Sequence, residues 1–329
     1  MTRLGYQIPN FTYPGVGPGE LFDVVAAQAV EAEGSGFDTV FVMDHFYQLP
    51  MLGQPDAYML ECYTTLAALA RETSSARLSA LVTGNTYRNP ALLAKSLTAL
   101  DIVSGGRAQL GIGAGWFEHE HNSLGFPFGT FTDRFEKLEE ALQIIVPMLR
   151  DERPTLAGKH YSVSEAVNQP PPVGRIPIMI GGSGENKTLR MVAQYADESN
   201  ITSGVDEIPR KLDALAAHCE RLGRDRSEIT VSQALNVCIA ETHDEAYADM
   251  RTFLADRGLD IEAMDEASRT QILSLVVWGD PDEVGERLTD VLSRGVDGIT
   301  CSLPANGHVP GRVDLLGKVG TAALRGLVP

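Results

Sequence analysis

The sequence predicts a (β/α)8 barrel, and three observations carry that prediction. Short apolar runs alternate with longer helical patterns along the whole chain of 329 residues. There are eight such runs, rich in Val, Ile, Leu and Thr, short and apolar enough for parallel strands covered on both faces. Several intervening helices carry explicit start and stop signals. The length suits one large barrel as well as two average domains. With no repeat and no low-complexity tract, the chain is read as a single domain over 1–329.

The first run, Leu4–Ile8, carries Gln7 near its end and is followed by Asn10. The second, Thr39–Met43, leads into Asp44 and His45 in "VFVMDHFYQLP". The third, Arg77–Val82, is followed by Thr83, Asn85, Tyr87 and Arg88. Its helix opens with Asn89 as N-cap and Pro90 at the first helical position, where a missing N–H costs nothing. Leu93, Leu97, Leu100 and Val103 are assigned to one face, and Gly105–Gly106 stops the helix. The fourth run, Ala108–Ile112, leads into "GAGWFEHEHNSLGF". The fifth, Ile176–Ile180, meets "GGSGENKT"; the sixth, Glu198–Ile201, ends near Asn200 and Thr202. Val231–Ala240 and Gly298–Leu303 complete the set. Between the last two, Asp280 caps, Pro281 opens, Glu283 closes a capping box and Gly295 ends a helix. Residues 151–175 break the rhythm with three consecutive prolines and no helical period. They form an insertion, either a lid or a passive surface loop.

Bulk properties exclude several classes. A hydrophobic content of 43% supplies a substantial core. No apolar run approaches the ~18 residues of a membrane span. The N-terminal "MTRLGYQIPN" lacks a signal-peptide pattern. The four cysteines have no CxxC spacing and read as reduced packing thiols of a cytoplasmic protein. A net charge of −17 argues against nucleic acid and anionic membrane surfaces as partners. A small-molecule substrate is expected instead.

In a barrel of this kind, active-site groups project from the C-terminal ends of the strands. His45 is the titratable residue best suited to proton transfer there. Asp44 beside it can orient a ring or accept an N–H. The competing reading of His45 is a core histidine satisfied by backbone. Gly181, Gly182, Ser183 and Gly184 form a glycine-rich turn before a helix, a natural anion site, with Lys187 adding charge. A plain glycine turn is the competing reading, and GxxxxGK[ST] does not match. Around Gly113 and Gly115, the backbone can approach a flat ring closely, with Trp116 alongside or packed as core. The run Glu118-His119-Glu120-His121 looks like a metal site, but HExxH is absent and the two histidines are two residues apart. It reads as a solvated helix start, and no metal is expected. GxGxxG is absent too.

Taken together, "GFDTVFVMDHF", "LVTGNTYRNPALLAKSLTALDIVSGGRAQLGIGAGWFEHEH", "GFPF", "RFEKLEEALQII", "IPIMIGGSGENKTLRMVAQYAD" and "GDPDEVGERL" resemble the luciferase-like monooxygenase superfamily. The resemblance covers nearly the whole chain and points to its coenzyme F420-dependent oxidoreductase branch. It implies a deazaflavin across the strand ends, Asp44 and His45 flanking its reactive ring, and His45 as acid/base. It implies that the stretch around Thr83 and Asn85 supports the ring, often through a non-proline cis peptide. It places the 181–184 turn on the cofactor phosphate, and it implies a homodimer. There is one departure. In the sugar-phosphate-oxidising branch a proton-transferring Glu follows the Gly-x-Gly after strand four, and here that position is Ala114. Glu118 and Glu120 are the nearby carboxylates.

The expected activity is hydride transfer between the deazaflavin and a small organic substrate. An FMN-dependent monooxygenase on the same barrel is the alternative, with Lys187 and Arg88 as rim charges favouring the acidic tail of F420. A metal-dependent barrel hydrolase and a non-catalytic cofactor-binding barrel are the remaining rivals.

Overall fold

In the computed structural model, which describes residues 3–326, the eight runs close into one parallel barrel. The strands are β1 (Leu4–Ile8), β2 (Thr39–Val42), β3 (Arg77–Ala80), β4 (Ala108–Gly113), β5 (Ile178–Gly181), β6 (Glu198–Ile201), β7 (Thr230–Ile239) and β8 (Gly298–Ser302). Each pairs with the next in sequence, and β1 closes on β8 with Leu4 opposite Ile299 and Gln7 opposite Ser302. Strands β2, β4, β6 and β8 are buried along their whole length, as covering both faces requires. Asn200 on β6 donates to Ser232 on β7 and to Thr300 on β8, at 2.9 and 3.2 Å. Strands β6 and β8 are not neighbours, so the second bond crosses the barrel interior.

The helices begin and end where their caps stand. Asn89 Oδ1 accepts the Ala91 N–H at 2.9 Å, Pro90 opens the helix Pro90–Ser104, and Gly105 ends it at φ 70°. Leu93, Leu97 and Leu100 are buried. Val103 is not; it is 41% exposed. Ten residues from Leu93 is not a whole number of 3.6-residue turns, so Val103 drifts off the buried face. The Asp280–Glu283 capping box is present, with reciprocal bonds of 3.0 Å.

Residues 151–175 carry a small antiparallel hairpin, Leu156–Ala157 against Ser162–Val163. Glu140, on the helix Phe131–Met148, accepts the N–H groups of Lys159, His160 and Tyr161 at 2.8–2.9 Å. Asp101 accepts the Val173 N–H at 2.8 Å. The insertion is thus strapped to two outer helices. A second excursion, not anticipated, follows β7. Helices His243–Ala255 and Glu266–Leu273 and the strand Val277–Gly279 pack a small apolar cluster around Met250, Leu254 and Ile261.

Candidate active site

The exit from β2 carries the first two candidate residues in opposite directions. Asp44 is buried and accepts both arms of Arg88, at 2.6 Å to Oδ2 and 2.9 Å to Oδ1, plus the Gly84 N–H at 2.9 Å. Burial pushes its carboxyl above the ordinary value, against the pull of Arg88. Burial also works against the Arg88 charge, but Asp44 outweighs it and keeps the guanidinium protonated. Arg88 reaches on to Glu61 at 2.5 Å and lies over the Tyr63 ring, 4.9 Å from its centroid. It is 12% exposed at the side chain, so it is an internal brace between strand ends and not a rim charge.

His45 turns the other way. Its Nδ1 lies 3.0 Å from Oε2 of Glu120, on the short helix Glu118–Leu124 after β4. Glu120 is fully buried and also receives the N–H groups of Phe46 and Tyr47 and the hydroxyl of Tyr87. Burial raises its pKa, but the donors from His45, Tyr87 and Tyr47 win, and the carboxyl ends below its ordinary value. Burial and Glu120 together push the Tyr87 hydroxyl far up, so it remains a donor. The His45 ring meets Trp116 and Phe117 edge-on, each at 5.8 Å between centroids. Its Nε2 has no hydrogen-bond partner among the described residues.

The metal-like run is split by the turn of its helix. Glu118 and His119 are exposed, while Glu120 and His121 are buried. His121 Nδ1 lies 2.8 Å from the Phe117 carbonyl, which only accepts, so Nδ1 carries the proton. Its Nε2 then accepts from Thr86 at 2.6 Å, and the ring stacks on Tyr87 at 4.6 Å. His121 is a core histidine, and burial lowers its pKa. Glu120 and His121 are thus committed inside the protein, and no three ligand-type side chains of this run cluster among the described residues.

The exits of β3, β4 and β5 meet around Val82. The Leu81–Val82 peptide is cis. Thr83 is buried and bonded to the Tyr63 hydroxyl at 2.7 Å; Asn85 is buried with its N–H on the Gly113 carbonyl at 3.1 Å. A Cβ on Gly113 or Gly181 would stand 2.9 or 2.7 Å from a Val82 methyl. These glycines are therefore required by Val82, a packing reason the sequence did not reveal. Gly115 has φ 79° and Trp116, beside it, is 59% exposed at the mouth.

The turn 181–184 lies where expected, before the helix Thr188–Tyr195. Gly182 has φ 123°, and its N–H is committed to the Asn200 carbonyl at 2.9 Å. Ser183 Oγ accepts the Thr202 N–H at 2.8 Å. The N–H groups of Ser183 and Gly184 donate to no group among the described residues. Lys187 Nζ lies over the Phe131 and Phe135 rings, 5.2 and 5.4 Å from their centroids, with no ion-pair partner among the described residues. Two open amides at a helix start, with an unpaired lysine three residues further on, suit a phosphate.

A cavity of about 410 Å³ is walled by Phe46 and Tyr47, from the loop after His45, and by Pro18, Leu21, Asp56 and Tyr58. Its wall holds no Lys or Arg. A wider depression of about 750 Å³ along the helix Glu266–Leu273 touches none of the strand-end residues.

The family model described as luciferase-like monooxygenase matches residues 2–298. The chain belongs to the luciferase-like monooxygenase family. A relative from Microbacterium testaceum, named F420-dependent glucose-6-phosphate dehydrogenase, is 30% identical over 89% of this chain and 89% of its own. A 5,10-methylenetetrahydromethanopterin reductase from Methanolobus tindarius is 26% identical over 89% of this chain and 94% of its own. Among solved structures, an F420-dependent secondary alcohol dehydrogenase superposes with a TM-score of 0.80, covering 98% and 99% of the two chains at 18% identity. That likeness shows the shared barrel fold. Within the family frame, the buried Glu120 is the site residue that sequence reasoning left unassigned. Its only signal was the spacing that puts Glu120 and His121 on the inner side of a short helix, away from Glu118 and His119.

Proposed function

We propose that the protein is a coenzyme F420-dependent oxidoreductase that moves a hydride to or from a small organic substrate, with His45 transferring the accompanying proton. The observation that carries this reading is His45 itself. One ring nitrogen is tied down by Glu120, and the other stands free at the strand ends of a luciferase-like barrel. Relatives named as F420-dependent enzymes, one of them 30% identical over most of the chain, support the choice of cofactor.

The residues fit such a group. Gly181, Gly182, Ser183 and Gly184, with Lys187, would receive its phosphodiester. Asp44, Thr83, Asn85, Gly113, Gly115 and Trp116 would border its ring system. When bound, the deazaflavin supplies the carbon that accepts or donates hydride. The chain's part is to hold the substrate in near-attack geometry, keep water out and move one proton at His45 Nε2.

The substrate proposed is uncharged and largely apolar. The cavity walled by Phe46 and Tyr47, the two residues after His45, has aromatic and aliphatic walls, carries Asp56 and lacks any cation to meet a phosphate. Ala114 supplies no carboxylate where the resemblance expects one for sugar-phosphate oxidation. Carbonyl or activated-alkene reduction, or the reverse alcohol oxidation, fits this wall.

An FMN-dependent monooxygenase is the second reading, favoured by the family description. Anaerobic titration with each cofactor, followed by single-turnover hydride transfer, separates the two. A reducing, cytoplasmic setting is supported by four buried, unpaired cysteines. A homodimer is proposed from the family resemblance alone. Light scattering on the purified protein tests it.

A further inference from the structure

The hub built on Glu120 does more than close a loop. Glu120 comes from the helix after β4, His45 from the exit of β2, and Tyr87 from the exit of β3. The carboxylate is fully buried and accepts from the His45 ring, from the Phe46 and Tyr47 amides and from the Tyr87 hydroxyl. A carboxylate with this many donors around it is an acceptor only, so the ring nitrogen facing it must carry the hydrogen. The ring cannot easily flip to present the other nitrogen. Trp116 and Phe117 hold its edges at 5.8 Å, and the two amide bonds fix the backbone immediately after it. Tyr87 is itself wedged, stacked on His121 at 4.6 Å and edge-on to Phe46 at 5.1 Å and Phe126 at 5.2 Å.

We infer that Glu120 is the positioning residue of the site: it fixes His45 as the Nδ1–H tautomer and so makes Nε2 the atom that exchanges the proton. This rests on the reading of His45 as acid/base given above. In alcohol oxidation, the O–H proton of the substrate would pass to Nε2 while the carbinol carbon gives its hydride to the deazaflavin that the proposed function calls for, and the C–O bond becomes C=O. The resulting imidazolium faces the Glu120 carboxylate, which stabilises its charge. In carbonyl reduction the same proton returns from Nε2 to oxygen. Glu120 touches neither substrate nor cofactor in this scheme.

The test reads the ring nitrogens directly. Full-length protein with 15N-labelled histidine is examined by two-bond 1H–15N correlation at neutral pH, and His45 is assigned by the signal lost in His45→Gln. The expected wild-type pattern is a protonated-type Nδ1 and an unprotonated-type Nε2. Glu120→Gln should lose this preference and lower kcat by roughly 10–10²-fold with little change in F420 affinity. Tyr87→Phe, which loosens the same hub but leaves the carboxylate, should keep the wild-type pattern. Three results would overturn the inference: a wild-type Nε2–H form, an unchanged pattern and kcat in Glu120→Gln, or loss of the pattern in Tyr87→Phe. Should Glu120→Gln not fold, the wild-type and Tyr87→Phe spectra still decide. A His45→Ala variant with full turnover would instead sink the acid/base role, whatever the tautomer.

Discussion

His45 and Glu120 are 75 residues apart in sequence, and Nδ1 of one lies 3.0 Å from Oε2 of the other. This contact joins the exit of β2 to the exit of β4 and leaves a single imidazole nitrogen open at the barrel mouth. Much of the chemistry proposed for the protein follows from that one arrangement.

Removing the ring should separate chemistry from binding. His45→Ala is expected to lower turnover by roughly 10²-fold or more, the scale of general acid–base catalysis. F420 affinity, measured by fluorescence titration, should stay near wild type. Unchanged turnover would take His45 out of the reaction.

The glycine turn carries a different expectation. Gly182 sits at φ 123°, where a side chain is strained, and a substituent there would approach Thr188 at 3.4 Å. Gly182→Leu should distort the turn and weaken cofactor binding, while circular dichroism shows a folded barrel. A folded Gly182→Leu protein with wild-type affinity would remove the turn from the phosphate site.

Much of the barrel was legible in the sequence because its causes are local. Runs such as Thr39–Val42 and Ala108–Gly113 are predominantly apolar and buried along their length, and caps such as Asn89 and Asp280 act on residues two or three positions away. The position of His45 followed from the strand before it. Glu120 was not legible, because its partners lie on two other strand exits. Arg88 misled for the same reason: a basic residue on a loop reads as a rim charge until Asp44 and Glu61 are seen around it. The excursion after β7 was not legible because its helix Glu266–Leu273 has no fully buried residue, so no apolar face marks it in the sequence.

Arg88 is the brace beneath the site, and its removal should be costly. Arg88→Met leaves Asp44 buried without its partner, and a loss of about 3–5 kcal/mol is expected in denaturant unfolding. The double variant Arg88→Met, Asp44→Leu should recover part of that loss. Equal destabilisation of single and double variants would show that the pair is not the cause.

Acid stability has an identifiable contributor away from the site. Burial raises the pKa of Glu33, but the N–H groups of Ala76, Ser75 and Ser74 and the Ser74 hydroxyl outweigh it and hold the carboxyl down to about 2, from an ordinary 4.5. A depressed carboxylate contributes stability that is fully present above its unfolded pKa and lost as pH falls through the folded one. Stability should therefore drop between about pH 4.5 and 2, and Glu33→Gln should flatten that limb. An identical acid limb in the variant would show that this interaction is silent.

The run Glu118–His121 should prove indifferent to metal. Two of its members face solvent, and the other two are committed to His45 and to Thr86 with the Phe117 carbonyl. Elemental analysis should find no stoichiometric ion, and EDTA should leave turnover unchanged. Zinc or manganese at one per chain, lost in His119→Ala, would point to a hydrolase instead.

The most direct test of the account is an anaerobic titration of the purified protein with F420 and, separately, with FMN. Saturable binding of F420, weakened by Gly182→Leu and retained by His45→Ala, is the predicted result. Tight binding of FMN with no affinity for F420 would contradict it.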